Sequence, residues 1–127
     1  MPDTTTISPA SLAALNSRSD MLARFFQGLS DPTRLRILTL LMEQDRTVSE
    51  LVSLLGSPQG RVSTHLACLR WCGFVVAEKA GRTVRYQIAD GRVRDLLSVA
   101  TVMMADNAAA ISSCLVVGMP TDERTVR

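Results

Sequence analysis

The stretch TVSELVSLLGSPQGRVSTHLACLRWCG, residues 47–73, decides the fold. Thr47 and Glu50 stand three apart ahead of an apolar run, the spacing at which each side chain satisfies an orphan backbone donor of the other. A short helix carrying Leu51, Val52, Leu54 and Leu55 follows, and Gly56 stops it. Ser57-Pro58 then opens a second helix through Cys72, with Gly73 as a left-handed terminator. Two short helices joined by a tight glycine turn, the second polar along its leading face, form a helix-turn-helix pattern.

The rest of the chain arranges itself around that pair. Upstream, Ser30-Asp31-Pro32 starts a helix whose Leu35, Ile37, Leu38, Leu40, Leu41 and Met42 are apolar almost all round, so it belongs at the buried centre. Before it, Leu12, Leu15, Leu22, Phe26 and Leu29 recur at helical spacing, which predicts a first helix from Ser11 to near Gly28. Downstream the period changes to two. Phe74 to Lys79 and Arg82 to Ile88 read as a β-hairpin about Ala80-Gly81, with Lys79, Arg82 and Arg85 near its tip. Asp90 caps a last long helix striped by Val93, Leu96, Leu97, Ala100, Met104, Ala108 and Ile111. The expected fold is mainly α: a winged helix-turn-helix of five helices with a hairpin wing, dimerised through its first and last helices. Residues 1–10 are expected to be a disordered arm, 11–117 the DNA-binding and dimerisation domain, and 118–127 a flexible tail.

At 127 residues the chain has the length of one domain, with a core of aliphatic side chains, because only three Phe, one Tyr and one Trp are present. No stretch is long enough to span a membrane and no basic-then-apolar leader opens the chain, so the expected location is cytoplasmic. Lys and Arg total 14 against 12 Asp and Glu, yet residues 57–94 hold seven basic groups against Glu78 and Asp90. A local basic segment is what a polyanion contact needs. Candidate contacts on the second helix are Ser57, Gln59, Gly60, Arg61, Ser63, Thr64 and His65, where Gln and Arg suit purine edges and the small hydroxyls suit phosphates. Lys79, Arg82 and Arg85 join them from the wing, either as a solvated strand edge or as contacts to phosphate or minor groove. The expected partner is therefore double-stranded operator DNA.

Cysteine placement is the other specific feature. Cys68 and Cys72 stand four apart, so on one helix their thiols share a face, and a third thiol, Cys114, follows the stripe of the last helix. Thiolates select soft ions, but free cysteines also serve as small buried hydrophobes, and spacing alone leaves both readings open. One histidine is too few for the His-rich zinc sites. No nucleophile triad, paired-carboxylate motif, phosphate loop or organic-cofactor fingerprint is apparent, so an enzyme is not expected.

Leu29-Ser30-Asp31-Pro32-Thr33-Arg34-Leu35-Arg36-Ile37-Leu38, Arg61-Val62-Ser63-Thr64-His65-Leu66 with Leu69-Arg70, and Gly81-Arg82 before Val84-Arg85-Tyr86 resemble the ArsR/SmtB metal-sensing repressors over roughly residues 20–115. The resemblance implies an apo homodimer that represses a promoter and leaves DNA when metal binds. It also implies which site is present. The helix from Val48 to Leu55 lacks the cysteine pair of arsenic-type members, and residues 90–114 lack the histidine of zinc-type members. Cys68-Leu69-Arg70-Trp71-Cys72-Gly73, with Cys114 further on, is similar to the cadmium/lead-sensing CmtR subgroup. By that resemblance Cys68 and Cys72 of one protomer join Cys114 of the other around cadmium or lead, with mercury also admitted. The alternatives are a mercury-responsive repressor on the same thiols and a thiol redox or persulfide sensor.

Overall fold

The computed structural model describes residues 6–113. Helix α1 (Pro9–Gln27) begins where the Ser8 side chain accepts the N–H of Ser11, so Pro9 and Ala10, expected in the arm, are helical instead. Proline suits the first helical position because its missing N–H has no partner there anyway. Helix α2 (Pro32–Glu43) opens in the same way, with the Asp31 carboxylate accepting the N–H of Arg34 at 3.0 Å. It buries Ile37, Leu38 and Leu41, while Leu35 stays exposed, so one stripe of α2 rather than its whole circumference faces the core.

Strand β1 (Arg46–Thr47) is an element that the two-residue period could not announce, because two residues show no period. The capping box follows as expected. Thr47 accepts from the N–H of Glu50, Glu50 accepts from the N–H of Thr47, and helix α3 (Val48–Leu55) runs to Gly56 at φ 66°. Helix α4 (Gln59–Trp71) ends at Cys72, and Gly73 at φ 83° turns the chain into strand β2 (Val75–Ala80). A two-residue loop leads into strand β3 (Thr83–Ile88). Gly81 takes φ 65° and Arg82 an ordinary φ, which matches the strand twist as a type II′ turn does. The sheet order is β1-β3-β2, all antiparallel, with Arg46 opposite Tyr86 and Glu78 opposite Arg85.

The core lies where α2, α3, α4 and the base of the hairpin meet. It is made by Ile37, Leu38, Leu41, Leu51, Val62, Leu66, Leu69, Phe74 and Val75. Only the C-terminal end of α1 is tied to these elements: the Phe25 ring lies 4.7 Å from that of Phe74, while Leu12, Leu15, Met21, Leu22 and Phe26 remain exposed. Residues up to Ala89 form one compact unit, and Asp90 begins a second. In the second, Asp90 accepts the N–H of Arg92 to start helix α5 (Gly91–Asp106). The single long helix expected here is interrupted at Asn107, whose amide donates back to the Met103 carbonyl, and helix α6 (Ala108–Ser113) follows. Val99, Val102, Met103, Met104 and Ile111 are all exposed. No helix among the described residues is long and apolar enough to cross a membrane.

Candidate functional site

The second helix of the helix-turn-helix, α4, presents two different flanks. Val62, Leu66 and Leu69, at i, i+4 and i+7, anchor it in the core. That leaves Gln59, Gly60, Arg61, Ser63 and Thr64 exposed at its leading end. Pro58 supplies no side-chain cap, and the first intrahelical bond runs from Val62 N–H to Pro58 O at 3.1 Å. The first-turn N–H groups of α4 therefore point outward without intrahelical partners. The Arg61 side chain has no hydrogen bond or ion pair among the described residues, whereas the Thr64 hydroxyl donates to Gly60 O at 2.9 Å. Ser57 sits half-buried in the turn.

The wing divides as well. Lys79 and Arg82 flank the hairpin tip, their side chains exposed and without a hydrogen-bond or ion-pair partner among the described residues. Arg85 does not sit at the tip. It lies further down β3, opposite Thr47 and Glu78, where its guanidinium donates to Asp45 O at 2.8 Å and reaches Glu50 at 3.5 Å. It thereby ties the wing to the start of α3. Glu50 is held below the usual carboxylate range first by the Thr47 N–H, against a smaller desolvation effect, and then by the Thr47 hydroxyl, Arg85 and Arg46.

His65 departs furthest from the expected DNA-facing set. Its side chain is only 15% exposed, because α4 turns it toward the start of α2. Arg34 Nη1 lies 3.3 Å from its Nδ1, and its Nε2 is 3.9 Å from Asp31. A guanidinium has no acceptor, so when the ring is neutral Nδ1 accepts in this bond and the ring proton sits on Nε2, toward Asp31. Burial raises the Asp31 carboxyl, but the Arg34 N–H and the charges of His65 and Arg34 outweigh it and hold the group below its ordinary value.

His65, Cys68 and Cys72 stand at i, i+3 and i+7, all half-buried along one stripe of α4. Both cysteines are free thiols. Burial pushes the Cys72 thiol up, the adjacent Cys68 thiol adds to this by charge and hydrogen bonding, and Arg34 pulls weakly the other way. The Cys72 sulfur thus already senses that of Cys68. A pair of half-buried thiols on one helical stripe is a donor set for a soft ion, which needs both deprotonated. No group of three potential ligands forms among the described residues, and Cys114 lies outside them.

A profile described as "Bacterial regulatory protein, arsR family" matches residues 31–76, from the Asp31 cap through α3, the turn and α4 into β2. The chain is 47% identical over 95 residues to a Streptomyces lividans protein named a probable mercury resistance operon repressor, which covers 75% of this chain and 76% of that protein. The chain belongs to the ArsR family. Another relative, the Mycobacterium bovis transcriptional regulator CmtR, is 44% identical over 89 residues, covering 69% of this chain and 75% of its own length. Among solved structures, the fold is similar to Mycobacterium tuberculosis Rv0081, with a TM-score of 0.69, 36% identity and coverage of 76% and 99% of the two chains. It is also similar to the homodimeric winged helix-turn-helix DNA-binding domain of a Mycobacterium bovis protein, with a TM-score of 0.66, 30% identity and coverage of 80% and 90%. The ArsR family consists of DNA-binding transcriptional regulators, so this chain is a regulator and not an enzyme.

Proposed function

We propose that this ArsR-family chain is a thiol-based, metal-responsive repressor that binds its operator as an apo homodimer and leaves it when a soft ion is taken up. The observation that carries the reading is the Cys68–Cys72 pair: two free, half-buried thiols one helical turn apart at the C-terminal end of the helix whose other end carries Gln59, Arg61, Ser63 and Thr64. On DNA, α4 enters the major groove. Gln59 and Arg61 read base edges, while Ser57, Ser63, Thr64 and the uncapped first turn hold phosphates, and Lys79 and Arg82 add wing contacts. The exposed apolar residues of α1 and α5 form the dimer surface, a reading supported by the homodimeric neighbour.

Cys68 and Cys72 hold the ion as thiolates, and Cys114 is the third ligand in this reading. When bound, the ion supplies an electrostatic and geometric tie between sulfurs; the protein's part is to release two or three protons and to let the end of α4 move. A coupling of about 1–3 kcal/mol weakens operator binding roughly 5- to 150-fold. Relatives named for mercury resistance and CmtR leave mercury beside cadmium and lead as ions to compare. The test is a titration of a fluorescent operator complex with mercury, cadmium, lead and zinc. Release by a soft ion, lost in Cys68→Ser and Cys72→Ser, supports the reading. No release by any ion, or serine variants that respond like wild type, refutes it. Release by oxidant or sulfide without metal, with a mass shift on the cysteines, would establish a redox or persulfide sensor instead.

A further inference from the structure

Arg34 spends its guanidinium on three groups from two other segments. Nε donates to Gly28 O at 2.8 Å, Nη2 donates to Gln27 O at 2.9 Å, and Nη1 lies 3.3 Å from His65 Nδ1. The two carbonyls belong to the end of α1, where helix carbonyls lack intrahelical donors. Gly28 meets α4 a second time. A Cβ built on it would fall 2.8 Å from Cys72 Sγ, so the glycine backbone lies directly against that sulfur. The end of α1 thus touches one thiol of the pair, and through Arg34 it also holds the middle of the same helix, two turns nearer the DNA-facing end.

We propose that Arg34 and His65 are positioning residues that carry the state of the Cys68–Cys72 pair to the DNA-reading end of α4. The inference rests on the thiol-sensor reading above. Any movement of Cys72 Sγ toward a bound ion changes what Gly28 packs against. Gly28 O and Gln27 O are fixed to Arg34, so a shift of Gly28 is transmitted along a rigid planar guanidinium to the His65 ring. A guanidinium bonded at three edges resists reorientation, whereas a lysine ammonium cannot hold the same fork. Asp31, 3.9 Å from Nε2 and capping α2, keeps the ring turned inward. In this arrangement His65 acts from inside the domain, through the attitude of its helix.

The test compares wild type with His65→Phe, His65→Asn and Arg34→Lys. Phe keeps the ring volume without an acceptor, and Asn places an amide oxygen near the position of Nδ1. Two quantities are read for each variant: cadmium or mercury binding by thiolate charge-transfer absorbance, and the ratio of operator Kd with and without metal. The expected result is unchanged metal stoichiometry throughout, a ratio that falls toward one in His65→Phe and Arg34→Lys, and recovery in His65→Asn. A purely structural role would lower folding or apo affinity in Phe and Asn alike without separating their ratios. Wild-type ratios in His65→Phe or, should that variant not fold, in Arg34→Lys overturn the proposal. Absence of a metal response in wild type removes the sensor reading itself, and this inference with it. A responding wild type with equally responding variants removes the inference alone.

Discussion

Gly28→Ala probes the contact on which both the thiol site and its link to α1 depend. Gly28 has φ −59° and ψ −25°, so alanine fits its backbone without strain and any cost is steric. The added Cβ would stand 2.8 Å from Cys72 Sγ and 3.1 Å from Phe74 Cε2. Phe74 is fully buried against Phe25 and has nowhere to swing, so Cys72 at the end of α4 must give way. Overpacking of this kind costs about 1–3 kcal/mol, offset by about 0.4–1 kcal/mol from the stiffer unfolded chain. The net loss of about 1–2 kcal/mol corresponds to a fall in Tm of about 4–8 °C for a domain of this size. Thermal unfolding followed by circular dichroism, at fixed protomer concentration because dimer stability depends on it, measures the shift. The same substitution in a Cys72→Ala background should cost about 1 kcal/mol less, since the 2.8 Å contact is then gone. An unchanged Tm in Gly28→Ala, or an equal penalty with and without the Cys72 sulfur, would refute the reasoning.

The two wing arginines should separate in a salt titration of operator binding. Arg82→Ala lowers the slope of log K against log salt by about one, while Arg85→Ala leaves the slope nearly unchanged and lowers stability, because its guanidinium is committed to Asp45 O and Glu50. At neutral pH the raised Cys72 thiol should be alkylated by iodoacetamide more slowly than free cysteine, and soft-metal affinity should climb as pH rises through the thiol range, read by competition with a chromophoric chelator. Thr47→Ala removes the capping box and should cost about 1 kcal/mol in urea denaturation, with a smaller loss for Glu50→Gln. Asp31, Glu50 and Asp90 all have lowered carboxyl values, so the folded state binds fewer protons than the unfolded one as these groups titrate. Their stabilisation is full above the ordinary carboxylate range and drains away as pH falls below about 5, which Glu50→Gln should flatten in a pH series of urea midpoints.

Most of the fold was legible because it is written in short-range chemistry. The Asp31 cap, the Thr47–Glu50 box, and the positive-φ glycines at 56, 73 and 81 each act within four residues, and each stands where the local pattern placed it, except that the hairpin turns at Gly81-Arg82, one residue later than expected, because Ala80 still pairs with Thr83. The same holds for the thiol pair, whose i, i+4 spacing puts both sulfurs on one stripe of whatever helix carries them. Strand β1 is not legible in the sequence, because Arg46 and Thr47 become a strand only through pairing with Tyr86 and Arg85, some forty residues on. The break at Asn107 was hidden by apolar spacing that continues on both sides of it.

Local sequence is enough to define the helix-turn-helix, the wing, the basic segment and a sulfur pair on α4. Tertiary structure alone decided which polar side chains of that segment face outward. His65 and Arg85 look like their outward-facing neighbours in composition, yet one bonds to Arg34 and the other to Asp45 and Glu50. It also brought Gly28 against Cys72, a contact between residues forty-four positions apart that no local rule implies. The physical reason is the range of the interactions. Caps and turns close over a few bonds and belong to the chain, whereas the partners of a long side chain exist only after the hydrophobic core has packed the segments that bear them.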